Sequence, residues 1–258
     1  IDYLAIGLDP EKVVLFRQSQ VPEHTELAWI FNCLVTMPYL ERAHAYKDAE
    51  QKAKEVNVGL FDYPILMAAD ILLYGSDVVP VGQDQKQHVE IARDVAEKFN
   101  RVYGEAFKLP EALILPNVGV VPGLDGRKMS KSYGNTIPLF AEPEEMKKLV
   151  MSIKTDSKGV GEAKDPETCN VFALHKLFSE NDLPELTKRY KEGGIGYAEA
   201  KEILFNNMSN YLAPLREKRA EIAKNPDHVQ EILKAGAEKA RVVASEKMQK
   251  VRELVGLN

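Results

Sequence analysis

An α/β chain is predicted, a doubly wound parallel sheet followed by an all-α helical region, and three features of the sequence carry that expectation. Between Asp77 and Phe99 a β-branched run, a glycine turn and an amphipathic stretch follow one another in the order strand, turn, helix. From Ile1 to about Phe140, helical patterns alternate with short strand-like runs. After Pro143 no strand pattern recurs. The boundary between the two regions is therefore set at 140, giving 1–140 for the sheet region and 141–258 for the helical one.

Taken in order, Ile1 to Pro10 reads as the end of a helix, and Val13-Val14-Leu15-Phe16 as a strand. Tyr63 to Tyr74 is predicted helical, with Pro64 at the first helical position and apolar residues nearly all round, as expected of a buried helix. Val78, Val79 and Val81 form the next strand, and Pro80 within it implies an edge or a strand end. Gly82 makes the turn. Asp84 stands where a helix N-cap belongs, with Gln87 three residues on completing a capping box ahead of Val89, Ile91, Ala92, Val95 and Phe99. Ala112 to Leu115 and Val118 to Val121 are the remaining strand patterns. Pro143 opens a helix with Glu144 and Glu145 in its first turn. Leu183 to Tyr190, Tyr197 to Lys224 and Pro226 to Leu254 are helical, punctuated by Gly193-Gly194 and Asn225-Pro226.

With 258 residues and 45% hydrophobic content the chain can bury a sizeable core. No apolar run reaches the length of a membrane span and no secretory signal opens the chain, so a cytoplasmic protein is expected. Cys33 and Cys169 lack metal-ligand spacing and read as reduced packing residues. A net charge of −5 excludes a strongly basic global field, so any RNA contact depends on local patches. One such patch is the final segment with Lys234, Lys239, Arg241, Lys247, Lys250 and Arg252, either a solvated face or an RNA-facing one.

Three places carry chemistry. Arg127-Lys128-Met129-Ser130-Lys131-Ser132, between Asp125-Gly126 and Tyr133-Gly134, crowds cationic donors and hydroxyls into one glycine-flanked loop. It is either a lysine-rich surface turn or a loop that closes on a polyphosphate. Asp70 lies in the apolar setting M-A-A-D-I-L-L-Y, where a carboxylate needs a donor, from an internal Arg or Lys or from a ligand. Tyr63, Met67, Asp70 and Tyr74 recur at i, i+4, i+7 and i+11, and such a face suits a flat aromatic ligand with one N–H. Gly82 and Asp84 allow close approach of a nucleotide and binding of ribose hydroxyls, although Asp84 is equally a plain cap.

The words K-M-S-K-S at Lys128 to Ser132, Y-P-I-L-M-A-A-D-I-L-L-Y at Tyr63 to Tyr74 and V-P-V-G-Q-D-Q-K-Q-H-V-E at Val79 to Glu90 together resemble the bacterial tryptophanyl-tRNA synthetases. The similarity spans nearly the whole chain. It implies a class I Rossmann-type sheet and a helical anticodon-binding domain, with ATP-dependent activation of L-tryptophan to the adenylate and transfer to tRNA(Trp). By the resemblance, Asp70 accepts the indole N–H, Met67, Ile71, Val79 and Val81 pack the ring, and Tyr63 and Gln85 hold the α-amino group. Gly82, Gln83, Asp84 and Val121 fall to ATP, together with the loop residues Lys128, Met129, Ser130, Lys131 and Ser132. Lys128 and Lys131 are the implied catalytic residues, acting on pyrophosphate as it leaves. ATP with Mg²⁺ is implied, no resident metal, and a homodimer. Trp29, Phe31, Met37 and Tyr39 suit an interface segment or a core equally.

The family's upstream signature P-S-G-x-x-H-x-G-N has no counterpart here, and the chain starts at Ile1 without a methionine. A fragment that is inactive alone is therefore expected. At Tyr46-Lys47-Asp48-Ala49 relatives carry a second lysine where Ala49 stands. Two competing readings are another nucleotidylyl transferase, which needs no aromatic pocket, and a non-catalytic RNA-binding or regulatory paralogue.

Overall fold

In a computed structural model, residues 1–43, 46, 55–114 and 120–257 are described. Ala49, Leu115, Val118 and Gly119 lie outside them. Ten helices are named here: α1 (Asp2–Ala5), α2 (Glu23–Asn32), α3 (Met37–Leu40), α4 (Val58–Leu72), α5 (Lys86–Tyr103), α6 (Pro143–Met151), α7 (Asn170–Phe178), α8 (Leu183–Glu192), α9 (Tyr197–Ala223) and α10 (Pro226–Val255). The described strands are β1 (Val78–Pro80) and β2 (Glu111–Leu113). Two compact units interleave along the chain, 1–8 with 119–225 and 9–118 with 226–258. Packing thus divides the chain at places other than residue 140, and α10 is built into the unit that holds the sheet.

In the unit formed by 9–118 and 226–258, β1 and β2 pair in parallel, Val78 opposite Glu111 and Val79 opposite Ala112. The connection between them runs through α5, as a parallel pair requires. Pro80 ends β1, where its missing N–H costs no ladder bond, and Val81 N–H continues to Leu113 O at 3.1 Å. Ile65, Ala68, Ala69 and Leu72 of α4 meet Leu27, Phe31, Val89, Ala92, Val95 and Phe99 in one core, closed from α10 by Ala240, Ala244, Met248 and Val251.

Four expectations change here. Helix α4 starts at Val58, six residues before Pro64, because the Asn57 side chain caps it by accepting from Leu60 N–H at 2.9 Å. Residues 13–16 form no strand: Val13 and Val14 are exposed, and the Leu15 carbonyl lies against Gly236 of α10, where a Cβ would come to 2.0 Å. Residues 120 and 121 are not a strand either; among the described residues the pairing nearby is an isolated bridge, Pro122 with Lys128. Cys33 is exposed rather than packed.

The unit formed by 1–8 and 119–225 is helical beyond its loops. Met146, Val150, Val171, Phe172, Leu186, Tyr190, Leu204 and Met208 make its core. Lys201 is buried within it and donates to the Met151 and Ile153 carbonyls at 2.9 and 2.6 Å, satisfying the free end of α6. Buried His175 lies 3.0 Å from the Ala200 carbonyl through Nε2 and 2.7 Å from Ser179 Oγ through Nδ1. Among the described residues no helix is long and apolar enough to cross a membrane.

Candidate functional site

The face predicted on α4 exists. Tyr63, Met67, Asp70 and Tyr74 are each half-buried, while Pro64, Ile65, Ala68 and Ala69 between them turn into the core. Asp70 occupies the thirteenth of the fifteen residues of α4, and its side chain is 36% exposed rather than sealed in. Among the described residues its donors are neither Arg nor Lys. Gln18 Nε2 donates to both carboxylate oxygens at 2.6 and 2.8 Å, and His24 Nδ1 lies 2.6 Å from Oδ1, off the line of a well-aligned hydrogen bond. The other ring nitrogen of buried His24 is 2.7 Å from the Tyr74 hydroxyl. Phe16 packs edge-on to Tyr74 and tilted on His24. Burial, then the carboxylates of Asp70 and Glu23, push the Tyr74 phenol up to about 12, so it stays protonated beside Asp70.

Tyr63 sends its hydroxyl to His88 Nε2 of α5 at 2.9 Å. Val79, Val81 and Met67 are partly buried against the core, whereas Ile71 is 7% exposed and belongs to the core itself. Gln83, Asp84 and Gln85 form a single 3-10 turn between β1 and α5. Asp84 does not cap α5: Gln85 occupies the cap position without a side-chain bond, and Gln85 Nε2 donates to Asp84 Oδ2 at 3.1 Å. The carboxylate turns back over Gly82, where a Cβ would lie 2.7 Å from Asp84 Oδ1. Any larger residue at 82 would displace that carboxylate.

The K-M-S-K-S loop belongs to the other unit. Gly126 and Gly134 bound it with φ of +85° and +63°, the left-handed region that favours glycine. Met129 N–H meets Val121 O at 2.8 Å and Gly123 N–H meets Arg127 O at 2.7 Å, giving the loop one rung of antiparallel pairing. Lys128 and Lys131 are exposed. Arg127 is not one of the outward cations: its guanidinium pairs with Asp125 at 2.6 Å and stacks over Tyr133 at 4.7 Å. Ser130 and Ser132 hydroxyls are 2.9 Å apart, Ser130 capping the 3-10 turn at 131–133. The Asn135 amide, then Arg127, hold the Asp125 carboxyl down to about 2.

Sequence reasoning missed Gln18, His24, His88 and Asn135. No local spacing links 18 and 24 to 70, and an asparagine after a glycine reads as turn chemistry. On α10, Arg252 pairs with Glu26, Arg241 with the Gln20 carbonyl, and Lys247 with the Ala106 carbonyl at 2.8 Å. Half of the basic patch therefore holds this helix in place, and Lys234, Lys239 and Lys250 remain exposed.

The family described as class I tRNA synthetases (W and Y) matches residues 1–213. The chain is 52% identical over 259 residues to a tryptophan–tRNA ligase of Fusobacterium nucleatum, spanning 100% of this chain and 79% of that one. Its fold superposes with a TM-score of 0.90 and 50% identity on the tryptophanyl-tRNA synthetase of Campylobacter jejuni complexed with ADP and tryptophan, covering 99% and 81% of the two chains. A tryptophanyl-tRNA synthetase of Mycoplasma pneumoniae is similar at a TM-score of 0.78 and 28% identity, over 100% and 80%.

Proposed function

We infer that this chain, which belongs to the class I tRNA synthetases for tryptophan and tyrosine, is on the tryptophan side of that family and joins L-tryptophan to ATP before passing it to tRNA(Trp). The observation that carries the choice is Asp70, an acceptor on a half-buried face of α4 with tyrosine and methionine neighbours. A carboxylate there suits an indole N–H.

The roles follow from what each side chain can do. Asp70 accepts the indole N–H, with Met67, Val79 and Val81 against the ring and Ile71 supporting them from the core. Tyr63 and Gln85 address the α-amino group, and Gly82, Gln83 and Asp84 the ribose. Val121 meets the adenine. The substrate carboxylate attacks the α-phosphorus in line, forming the acyl–phosphate bond as the bond to pyrophosphate breaks, and no protein nucleophile is needed. Lys128 and Lys131 neutralise charge developing on that leaving group, and Met129, Ser130 and Ser132 shape the loop that presents them. A hydroxyl of the tRNA's terminal ribose then takes the acyl group and AMP leaves.

Among the described residues no His, Cys, Asp and Glu gather into a metal site. Mg²⁺ is assigned to the nucleotide, carried on its phosphates as this ion usually is. Residues 1–140 are assigned to catalysis and 141–258 to the helical part that meets the anticodon, with Lys234, Lys239 and Lys250 available to phosphates. A cytoplasmic homodimer is proposed, using Trp29 and Met37, which are 70% and 65% exposed; Phe31 is core and takes no part. Tryptophan-dependent exchange of pyrophosphate into ATP by the full-length protein is the test. Exchange with tryptophan and not with tyrosine is expected; equal exchange with either, or with neither, overturns the assignment.

A further inference from the structure

We infer that Asn135 is a positioning residue for the activation step, the clamp that fixes where the two loop lysines stand. The inference rests on the reading of Lys128 and Lys131 as the groups that stabilise leaving pyrophosphate. Asn135 is outside the K-M-S-K-S word and touches no substrate group in that reading. It is 3% exposed, and its amide is fully used. Nδ2 donates to Asp125 Oδ1 at 2.7 Å and to the Lys128 carbonyl at 3.1 Å, while Oδ1 accepts from Ser130 N–H at 2.8 Å. Two donors and one acceptor oxygen are what a primary amide has, so no other side chain of this size makes the same set. The Asn135 carbonyl takes a fourth bond, from Leu124 N–H at 3.0 Å.

These bonds span the loop. Asp125 precedes the first glycine hinge, Asn135 follows the second, and Lys128 and Ser130 lie between. With the carbonyl of 128 and the N–H of 130 pinned to one amide, the backbone that carries Lys128 has a set direction, and Lys131 begins the turn immediately after. The surroundings are shaped to the amide: a Cβ on Gly123 would come within 2.2 Å of Asn135 Nδ2. Outside the clamp, Arg127 braces Asp125 and Tyr133 from the loop's flank. The lysine side chains are exposed, and what the structure constrains is the backbone that carries them.

The consequence is a rate effect without a binding effect. A misplacement of about 1 Å in a group that acts on the transition state can cost on the order of 10²-fold. Asn135→Ala should lower the rate of adenylate formation roughly 10- to 100-fold while tryptophan affinity, measured by calorimetry, changes by less than about twofold. Asn135→Asp should fall at least as far, since it sets one carboxylate against another. Adding Asp125→Asn to that chain exchanges amide and carboxylate and should recover part of the loss, which a merely structural role does not require. Lys128→Ala should cost less in the Asn135→Ala background than alone, because the two act through one group. A folded Asn135→Ala enzyme at the wild-type rate, or full multiplicative losses with Lys128→Ala, overturns the inference. If Asn135→Ala does not fold, Asp125→Ala removes one partner at the rim, and an unchanged rate there overturns it equally. Wild-type protein that shows no tryptophan-dependent exchange would instead defeat the functional reading, so the two failures are distinguishable.

Discussion

The α4 face around Asp70 and the loop around Lys128 are built on opposite terms. Asp70 sits on a helix whose other side is core, and side chains from a distant segment, Gln18 and His24, hold its carboxylate. The lysines sit on a segment bounded by two glycines with positive φ, held at the backbone and exposed at the side chain. Recognition of a flat ring with one N–H needs an acceptor that does not move, since selectivity comes from what is left unpaired when the wrong ligand enters. Neutralising charge that appears only during reaction needs cations that can arrive with it.

The comparison breaks first, and most, at Asp70. Asp70→Ala should cost about 2–4 kcal/mol of tryptophan activation, the worth of a charge-assisted hydrogen bond in a sheltered site. Measured as kcat/KM for tryptophan against tyrosine, selectivity should collapse. A mutant that melts earlier yet keeps its selectivity would reduce Asp70 to an internal partner of Gln18 and His24.

Next come the lysines. Lys128→Ala and Lys131→Ala should each slow adenylate formation by roughly 10², about 2.7 kcal/mol, with tryptophan binding little changed. Single-turnover rates beside ATP affinities check this. Equal losses in both would mean that the loop merely holds ATP.

The smallest effect separates the two units by pH. Burial lowers His175 from 6.5 to about 4, and the ring is held neutral between Ser179 and the Ala200 carbonyl. With the folded value below the unfolded one, the unfolded chain binds the proton first. Stability is whole above pH 6.5 and falls as pH drops toward 4, by about 2 kcal/mol at pH 5. Melts between pH 7.5 and 4.5 should show the helical unit weakening first, and His175→Gln should remove most of that slope. A slope unchanged by the substitution would place the acid sensitivity elsewhere.

Much of this was readable in advance, and the limits have causes. The helices at 183–192, 197–223 and 226–255 match their amphipathic patterns to within a residue or two, since 3.6-residue periodicity with Pro and Gly punctuation is local information. β1 ended at Pro80 for the local reason that proline cannot donate. Helix α4 was shortened because Pro64 looked like a start; Asn57, seven residues earlier, had already supplied the cap. The strand expected at 13–16 failed because a β-branched run needs a partner edge, and its neighbour is a glycine on α10 more than two hundred residues away. Of six basic residues read as one patch on that helix, three turned out to be its own fastenings.

Taken alone, the sequence determined the kinds of groups present and their order: an acidic residue in an apolar helix, a glycine turn after a strand, two lysines in a glycine-bounded loop. These are short-range facts, fixed by residue type and spacing. Only the tertiary structure decided what each group is bonded to. That Asp70 is held by Gln18 and His24 rather than by a cation depends on where separate segments come together, whereas the pairing of Arg127 with Asp125 and the bonds of buried Asn135 to both ends of the lysine loop depend on how that one loop folds back on itself. A side chain's partner is chosen by distance in space, and no local pattern along the chain encodes it.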